Sequence, residues 1–510
     1  MLRHNPTAVN RRAPRARDGT PPASARGCRM GGVPALPPAR PKEAAMLQSD
    51  LYREPRRHAL GAEVSLLLAL AVPLAHGTTH TVLTCDDAGA GSLRAVVTDA
   101  LTHSGDTVDL STLNCSTISL TTGAILVAQD NLTVLGPGAN QLSIERGPPF
   151  NKQRIFKHTG SGTLALAYLQ VANGYYGGTQ GSLAEGGCIR SSGNVSLDHV
   201  RVTGCQLVAK DEAVGGGVFA TGKLTLKRAT LSGNSATVTA AATYGADGGG
   251  AWAHEVDASV STISGNLAVG TLSSIGGGLS TRYLTLTAST IADNVAAGYG
   301  GAVIMFRCSN LTCIEAGSAT IKNSTISGNS ANFVGGIYAR IGSLEIDNST
   351  IVRNVAQYGA KILNGTFRYL AAGVFSAGGN VDLESSLLAN NRYGSPPLDS
   401  DFSFYKQFQM DAVIGLDNLV REGHGAAPSG SLHGACPLLG PLRDNGGVTN
   451  THALLSGSPG IDAGNNAADL TYDQRLAPNV RDNGFPDIGA YEVQAEVIFD
   501  AGFDGCVPLP

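Results

Sequence analysis

Near the C-terminus, Asp462, Asp473, Arg475, Arg481, Asp487 and Glu492 form a dense set of carboxylates and guanidinium groups. Carboxylates brought together bind calcium or perform general acid–base work. Paired with the arginines, the same residues would close the end of a domain through ion pairs and turn bonds. That structural role is the expectation for Asp462, Asp473, Arg475 and Asp487. Arg201, Lys227, Arg282, Lys322 and Arg353 are spread through the middle of the chain. An enzymatic reading of the chain would need one of them as its base, beside a carboxylate cluster. No paired Asp cluster accompanies them in the sequence, and solvated strand positions explain them equally well. Aromatic residues are only 5% of the chain, so their crowding is informative. Tyr175-Tyr176 is one cluster; Phe402, Phe404, Tyr405 and Phe408 are another. Exposed ring faces stack on the C–H surfaces of sugars, which makes Tyr175, Tyr176, Phe402, Phe404 and Tyr405 the candidate ligand-binding residues. The competing expectation is a small satellite core covering the open end of the last coil. No phosphate loop, dinucleotide fingerprint, Gly-x-Ser-x-Gly elbow or His-Glu-x-x-His is present. No cofactor is expected, and calcium is the one ion the carboxylates would suit.

Glycine is abundant, at 66 of 510 residues, and net charge is small, at −4. With 42% hydrophobic residues the composition argues against disorder. The glycines come in doublets and triplets rather than at every third position, which excludes collagen. The charge is uneven. Of 36 basic and 40 acidic residues, positions 1–77 hold 12 and 5, leaving 24 and 35 from Thr78 onward, a net of −11. A chain with that balance is a poor partner for nucleic acid. The basic cluster Arg53, Arg56, Arg57 and His58 precedes the apolar run 64–74 and the small residues around Gly77. That order is expected of a secretory signal peptide over 46–77, and the run is too short to span a bilayer. Met46 is then the expected start, with the Arg/Pro-rich 1–45 a doubtful leader. Cysteine usage agrees with export. Setting aside Cys28, eight remain: Cys85, Cys115, Cys188, Cys205, Cys308, Cys313, Cys436 and Cys506. An even number in an exported chain favours disulfides, and neighbours in sequence suggest 85–115, 188–205, 308–313 and 436–506, although sequence leaves the connectivity open. None of them has zinc spacing.

One phrase recurs through the middle of the chain. It is clearest as Ser261-Thr-Ile-Ser-Gly-Asn266 and Ser324-Thr-Ile-Ser-Gly-Asn329, with related copies ending at Asn234, Asn294 and Asn354. Weaker copies end at Asn173, Cys205 and Asn390. Between the copies runs a glycine phrase such as Gly248-Gly-Gly-Ala251 or Gly276-Gly-Gly-Leu279. Within each unit apolar and polar residues alternate, as in Leu224-Thr-Leu226 and Leu344-Glu-Ile346, which is the period of a half-buried strand. Units of about 30 residues with short strands and glycine turns fit the coils of a parallel β-helix. Stacking would place Ile, Leu and Val inside. The asparagines would occupy left-handed turns and hydrogen-bond their copies in the coils above and below.

These phrases resemble two known families. The alternation of Gly-Gly-Ala-Val with Thr-Ile-Ser-Gly-Asn is similar to the repeats of polymorphic outer membrane proteins. The opening Cys85-Asp-Asp-Ala-Gly-Ala-Gly-Ser-Leu-Arg94, followed by Ser104-Gly-Asp-Thr-Val-Asp109, resembles secreted bacterial proteins of the CSLREA type. At the other end Asp444-Asn-Gly-Gly447, Thr451-His-Ala-Leu454, Gly457-Ser-Pro-Gly-Ile-Asp-Ala-Gly464, Asp473-Gln-Arg475 and Asp487-Ile-Gly-Ala-Tyr-Glu492 closely resemble the choice-of-anchor Q domain. Arg475-Leu476 departs from the usual Arg-Gly, and no apolar anchor follows Glu492. The resemblance implies an exported, cell-surface or secreted, right-handed parallel β-helix without one assigned chemistry. Gly423-His-Gly425 resembles a polygalacturonase motif, but the companion Asp and Arg phrases of those enzymes are missing.

The expected architecture is therefore all-β, a right-handed parallel β-helix. An N-terminal cap and first coils occupy 78–150, repeats 151–392, last coils with a choice-of-anchor Q-like cap 393–492, and a short tail 493–510. The expected role is non-enzymatic: adhesion, glycan binding or structure, as a monomer with no transmembrane segment in the mature chain and a polysaccharide or surface glycan as partner. The alternative is a lyase or hydrolase acting on an acidic polysaccharide, an analogy from fold alone.

Overall fold

A computed structural model describes residues 77–494 apart from short internal stretches at 100, 149–152, 178–182, 240–244, 271–272, 306–316, 341, 359, 364–365, 370, 396, 407–410, 425–426 and 483. The proposed leader and signal peptide, Cys308, Cys313, Cys506, Phe408 and the tail from 495 lie outside the described residues. The chain is a β-solenoid of stacked parallel coils. Its strands fall mainly into a 20-stranded, an 11-stranded and a nine-stranded sheet, called here the long, second and third sheets. One coil shows the plan. Val218–Lys227 lies in the long sheet, Thr230–Ser232 in the second and Ser235–Val238 in the third. The next coil repeats it in register, Leu224 against Val256 and Leu231 against Ile263. Alternation sends Leu224, Leu226 and Leu231 into the interior, where each is fully buried. Each such side chain contributes about 1.5–3 kcal/mol of burial.

Three corners turn each coil, and each has its own conformational demand. After the long strands sits one residue at positive φ: Tyr168, His199, Arg228, Val260, Ala288 and Asn323 are successive examples. After the second-sheet strands the left-handed residue is glycine at Gly204, Gly233, Gly265 and Gly328 and a non-glycine residue at Asn173, Asp293, Arg353 and Asn390. This corrects the expectation for the asparagines. The residue just before each one takes the left-handed turn, and Asn234, Asn266, Asn294, Asn329 and Asn354 point into the coil, almost fully buried. There each Nδ2 donates to the next Oδ1: Asn234 to Asn266 at 3.0 Å, Asn266 to Asn294, Asn294 to Asn329 and Asn329 to Asn354 at 2.9 Å. Asn354 continues to Asn391, and Asn391 to Asp401, both at 2.8 Å. In the weak copy it is thus Asn391 that joins the ladder, while Asn390 occupies the corner at φ 58°. A second ladder went unread in the sequence. The first serine of the phrase accepts from the preceding coil's backbone, so Ser261 N donates to Ser289 Oγ at 3.0 Å and Ser289 N to Ser324 Oγ at 3.2 Å.

The disulfides Cys85–Cys115 and Cys188–Cys205 are both formed, and Cys436 is also disulfide-bonded. The 188–205 bridge stands at the start of the ladder, because Cys205 N donates to Asn234 Oδ1 at 3.1 Å. Later coils put a glycine opposite an asparagine at this place. A Cβ on Gly250 or Gly278 would come within 3.1–3.2 Å of the Asn266 or Asn294 Cγ. Cys188→Ser with Cys205→Ser is therefore expected to lower stability by about 3 kcal/mol in urea denaturation. Cys188→Gly with Cys205→Asn should recover part of that loss, by extending the ladder one amide. Equal losses for both pairs would show that the ladder position carries no such equivalence.

At the N-terminal end a short helix, Leu93–Thr98, is capped by Ser92 and inserts Leu93 and Val97 into the core. Asp87 ties it to the next coil by accepting from Arg94, Thr121 N and Thr122 N. The C-terminal segment differs from expectation. Rather than only closing the last coil, residues 437–494 run along the side of earlier ones, on the outer face of the second sheet. Thr290 Oγ1 donates to Asn450 O at 2.7 Å, Thr325 Oγ1 to Gln474 Oε1 at 2.6 Å, and Ala490 N to Thr350 Oγ1 at 2.9 Å. Leu439, Leu454 and Ile488 pack there with Val352, Leu387 and Leu419. The threonine of the repeated phrase points outward on that sheet, so the repeat itself supplies the row of hydroxyls that receives the segment.

Candidate functional site

Residues that alternate with the interior on the long sheet face outward, and this face gathers aromatic and charged side chains. Between Val218 and Ala220 stands Phe219, and between Ala251 and Ala253 stands Trp252. The sheet register places the two side by side, and their rings stack at 4.9 Å with 12° between planes. Phe219 is buried in this stack, with Arg190 5.9 Å from its ring centre; Trp252, the single tryptophan, is half-buried. Two residues further along, exposed His254 meets half-buried Tyr283 edge-on at 5.4 Å. Further down the solenoid Tyr299, Phe333, Tyr338 and Phe375 form an outer cluster against Ile304 and Val334.

The aromatic residues singled out from the sequence are placed differently. Arg154 lies 3.8 Å from the Tyr176 ring centre and Arg146 5.5 Å from that of Tyr175. Tyr176 is thus closely covered by a cation, while Tyr175, like Tyr283 with Arg282 at 5.3 Å, has an arginine near its ring. Strand Phe402–Tyr405 pairs in parallel with Val374–Ala377 and continues the long sheet instead of breaking the repeat. Phe402 consequently points inward with no exposed surface, and Phe404 packs against the same core. As a ligand-binding residue Phe402 is therefore a correction: alternation along a continuing strand puts it inside. Tyr405 faces outward and packs on the outer aromatic cluster. Trp252 and Tyr283 were missed. Their signal was available, since each sits at an outward position of a strand that follows a glycine triplet.

Charged groups share this face. Lys223 Nζ lies 2.9 Å from Glu255 and 3.1 Å from Asp257; Lys322 Nζ lies 2.7 Å from Glu345 and 2.9 Å from Asp347. Lys322 thus does have paired carboxylates beside it, contrary to the sequence reading, because strand register brings together residues 23 and 25 positions apart. Burial pushes Asp347 up to about 6 against the pull of Lys322, while the Lys322 hydrogen bond holds Glu345 below the usual carboxylate range. A raised acid next to a lowered one, with an ammonium between them, is an arrangement able to exchange protons. The other basic candidates are engaged elsewhere. Arg201 reaches Asn140, Lys227 pairs with Asp198 at 3.5 Å, Arg282 lies 5.3 Å from the Tyr283 ring, and Arg353 donates to Leu439 O. His424 of the Gly-His-Gly phrase sits at the last strand of the long sheet, opposite Ser403.

Asp473, Arg475, Arg481, Asp487 and Glu492 form a buried network, which exposed Asp462 joins only through its backbone N–H. Arg475 donates to Asp473 at 2.6 and 2.9 Å and to Glu492 O at 2.6 Å. Arg481, with no exposed surface, reaches Glu492, Asn323, and the Asp487 and Gly489 carbonyls. Asp487 accepts from Asp462 N and Val493 N. These carboxylates are consumed in ion pairs and backbone bonds. No group of three or more His, Cys, Asp or Glu able to hold a metal occurs among the described residues. No helix among them is long and apolar enough to cross a membrane. Comparison with family models, with characterised proteins and with solved structures returned no match.

Proposed function

We propose that this chain is an exported, right-handed β-helix of the choice-of-anchor Q kind that binds polysaccharide on the outer face of its long sheet without turning it over. The observation that carries the reading is the placement of Trp252, His254 and Tyr283 on one outward face. Partly exposed rings there offer apolar surface to sugar C–H groups beside polar strand positions. The disulfides agree with an oxidising compartment, and the basic, apolar, small order over 46–77 supplies the route of export.

The test is calorimetric titration of the full chain with neutral, acidic and amino polysaccharides. At least one should bind saturably, and Trp252→Ala and Tyr283→Ala should each weaken it about tenfold, as loss of a stacked ring would. Unaltered affinity in both variants would remove this face from consideration.

A second reading is favoured by Lys322, Glu345 and Asp347: a lyase or hydrolase in which Lys322 or the Asp347–Glu345 pair handles the proton. Reducing ends and unsaturated-uronate absorbance, followed over time on the same polymers, separate the two. Turnover lost in Lys322→Met would replace the binding reading with the enzymatic one.

A further inference from the structure

Three pairs of carboxylates occupy outward positions two residues apart on the long sheet: Glu255 with Asp257, Glu345 with Asp347, and Asp382 with Glu384. A spacing of two puts both members of a pair on one face. Two of the pairs already grip a primary ammonium, those of Lys223 and Lys322, at 2.7–3.1 Å from the carboxylate oxygens. In both cases the lysine comes from the neighbouring strand of the same sheet. The third pair has no such neighbour. On one side its register partners are Glu345 and Asp347, and on the other Ile414 stands opposite Asp382. Glu384 is occupied by Leu416 N and Asn465 Nδ2. The Asp382 carboxylate makes no hydrogen bond or ion pair among the described residues.

A track of small polar side chains leads from this place to the aromatic face. Tyr283, Ser318, Ser343 and Asn380 are register partners on successive strands, and so are Thr285, Thr320, Glu345 and Asp382. At about 4.8 Å per strand, Tyr283 and Asn380 are some 14 Å apart along the axis. Ser343, Asn380 and Thr285 are exposed, so the track is an open floor.

Resting on the polysaccharide reading above, we infer that this face takes an amino-sugar polymer. Its rings lie along the track with one on Tyr283, and a free ammonium sits at Asp382 beside Glu345. Charge complementarity selects this class. An acidic polymer would meet the Asp382 carboxylate with Glu345 opposite it on the neighbouring strand, whereas an ammonium finds there the kind of carboxylate pair that two lysines of the chain itself already occupy. A lysine-rich peptide would satisfy the charge but leave Tyr283 and the hydroxyl floor unused.

The test titrates the full chain with a β-linked glucosamine oligosaccharide and with its fully N-acetylated counterpart. The free amine is expected to bind about tenfold more tightly, a gap that narrows at high salt. Asp382→Asn should abolish that preference, while Tyr283→Ala should weaken both sugars alike. Equal affinity for the two sugars, still dependent on Tyr283, would overturn this inference and leave the binding reading intact. Binding of neither sugar, nor of any other polysaccharide, would overturn both. Binding of oligolysine as tight as that of the glucosamine oligomer would overturn the sugar assignment.

Discussion

Asn294→Ala is expected to lower the stability of the solenoid by about 3–5 kcal/mol, well above the cost of an ordinary surface change. Asn294 is fully buried, and four partners depend on its amide. Its Oδ1 accepts from Asn266 N at 3.0 Å and Asn266 Nδ2 at 2.9 Å; its Nδ2 donates to Ile263 O at 3.0 Å and Asn329 Oδ1 at 2.9 Å. Alanine would strand Asn266 N without an acceptor in the dry interior and take one bond each from Asn266 Nδ2, Ile263 O and Asn329 Oδ1, although Asn266 Nδ2 keeps Leu231 O and Asn329 Oδ1 keeps the backbone N of residue 294. An orphaned buried group costs about 1–3 kcal/mol and each further lost bond about 1 kcal/mol. The amides also polarise one another in a single direction, from Asn234 toward the carboxylate of Asp401, so a break near the middle weakens both halves. Asn294→Asp separates hydrogen bonding from packing. The carboxylate keeps the shape and accepts from Asn266, but it presents oxygen to Ile263 O and Asn329 Oδ1. It should cost nearly as much as alanine at neutral pH. Urea denaturation of both variants checks this; losses below about 1 kcal/mol in both would show that the ladder is no stronger than bonds to solvent.

That ladder shows how far the sequence could be read. Asn266, Asn294 and Asn329 recur at the end of one phrase, and a repeated polar residue in a stacked coil announces a column of like contacts. Period-two alternation and glycine punctuation gave the parallel coils for the same reason: they report local geometry copied every 30 residues or so. Contacts that are not copied were out of reach. Gln474 bonds Thr290 across 184 positions and His452 bonds Ser327 across 125, and no periodicity connects them. The polar cluster from Asp462 to Glu492 is legible in the sequence as a dense set of charges, while its place along the second sheet is not. The candidate face fails differently. Lys322 and Asp347 become neighbours only once the register of two strands is known, and one residue of slip would send either to the interior. Phe402 illustrates the point: crowded aromatics suit an exposed stacking face or a buried core, and only the pairing of their strand with its neighbour puts Phe402 inside.

The segment 437–494 should be the part of the fold most sensitive to a single buried charge. Arg481 has no exposed surface; it joins the segment to the coil through Asn323 Oδ1 at 2.9 Å and organises it through Gly489 O at 2.8 Å and Glu492 Oε2 at 3.3 Å. Asn323 returns the contact by donating to Tyr472 O at 2.8 Å. Arg481→Met would retain much of the volume but leave Glu492, where it is ionised, buried without its counter-charge, at a cost of up to about 3–5 kcal/mol. The loss should depend on pH. Burial already pushes the Glu492 carboxyl up to about 8, against donation from Asp487 N and the charge of Arg481. A carboxyl raised above its unfolded value of about 4.3 stabilises the fold fully below that value, and its contribution falls as pH rises toward about 8. Without Arg481 nothing opposes burial as strongly, so the carboxyl rises further and the variant should be closer to wild type at pH 5 than above about pH 8. Hydrogen exchange gives the location: amides of 437–494 should lose protection in the variant while those of the asparagine ladder keep theirs, because the segment can detach from a solenoid whose coils are bonded to one another. Equal loss of protection in both regions would mean that the segment and the coils unfold as one unit.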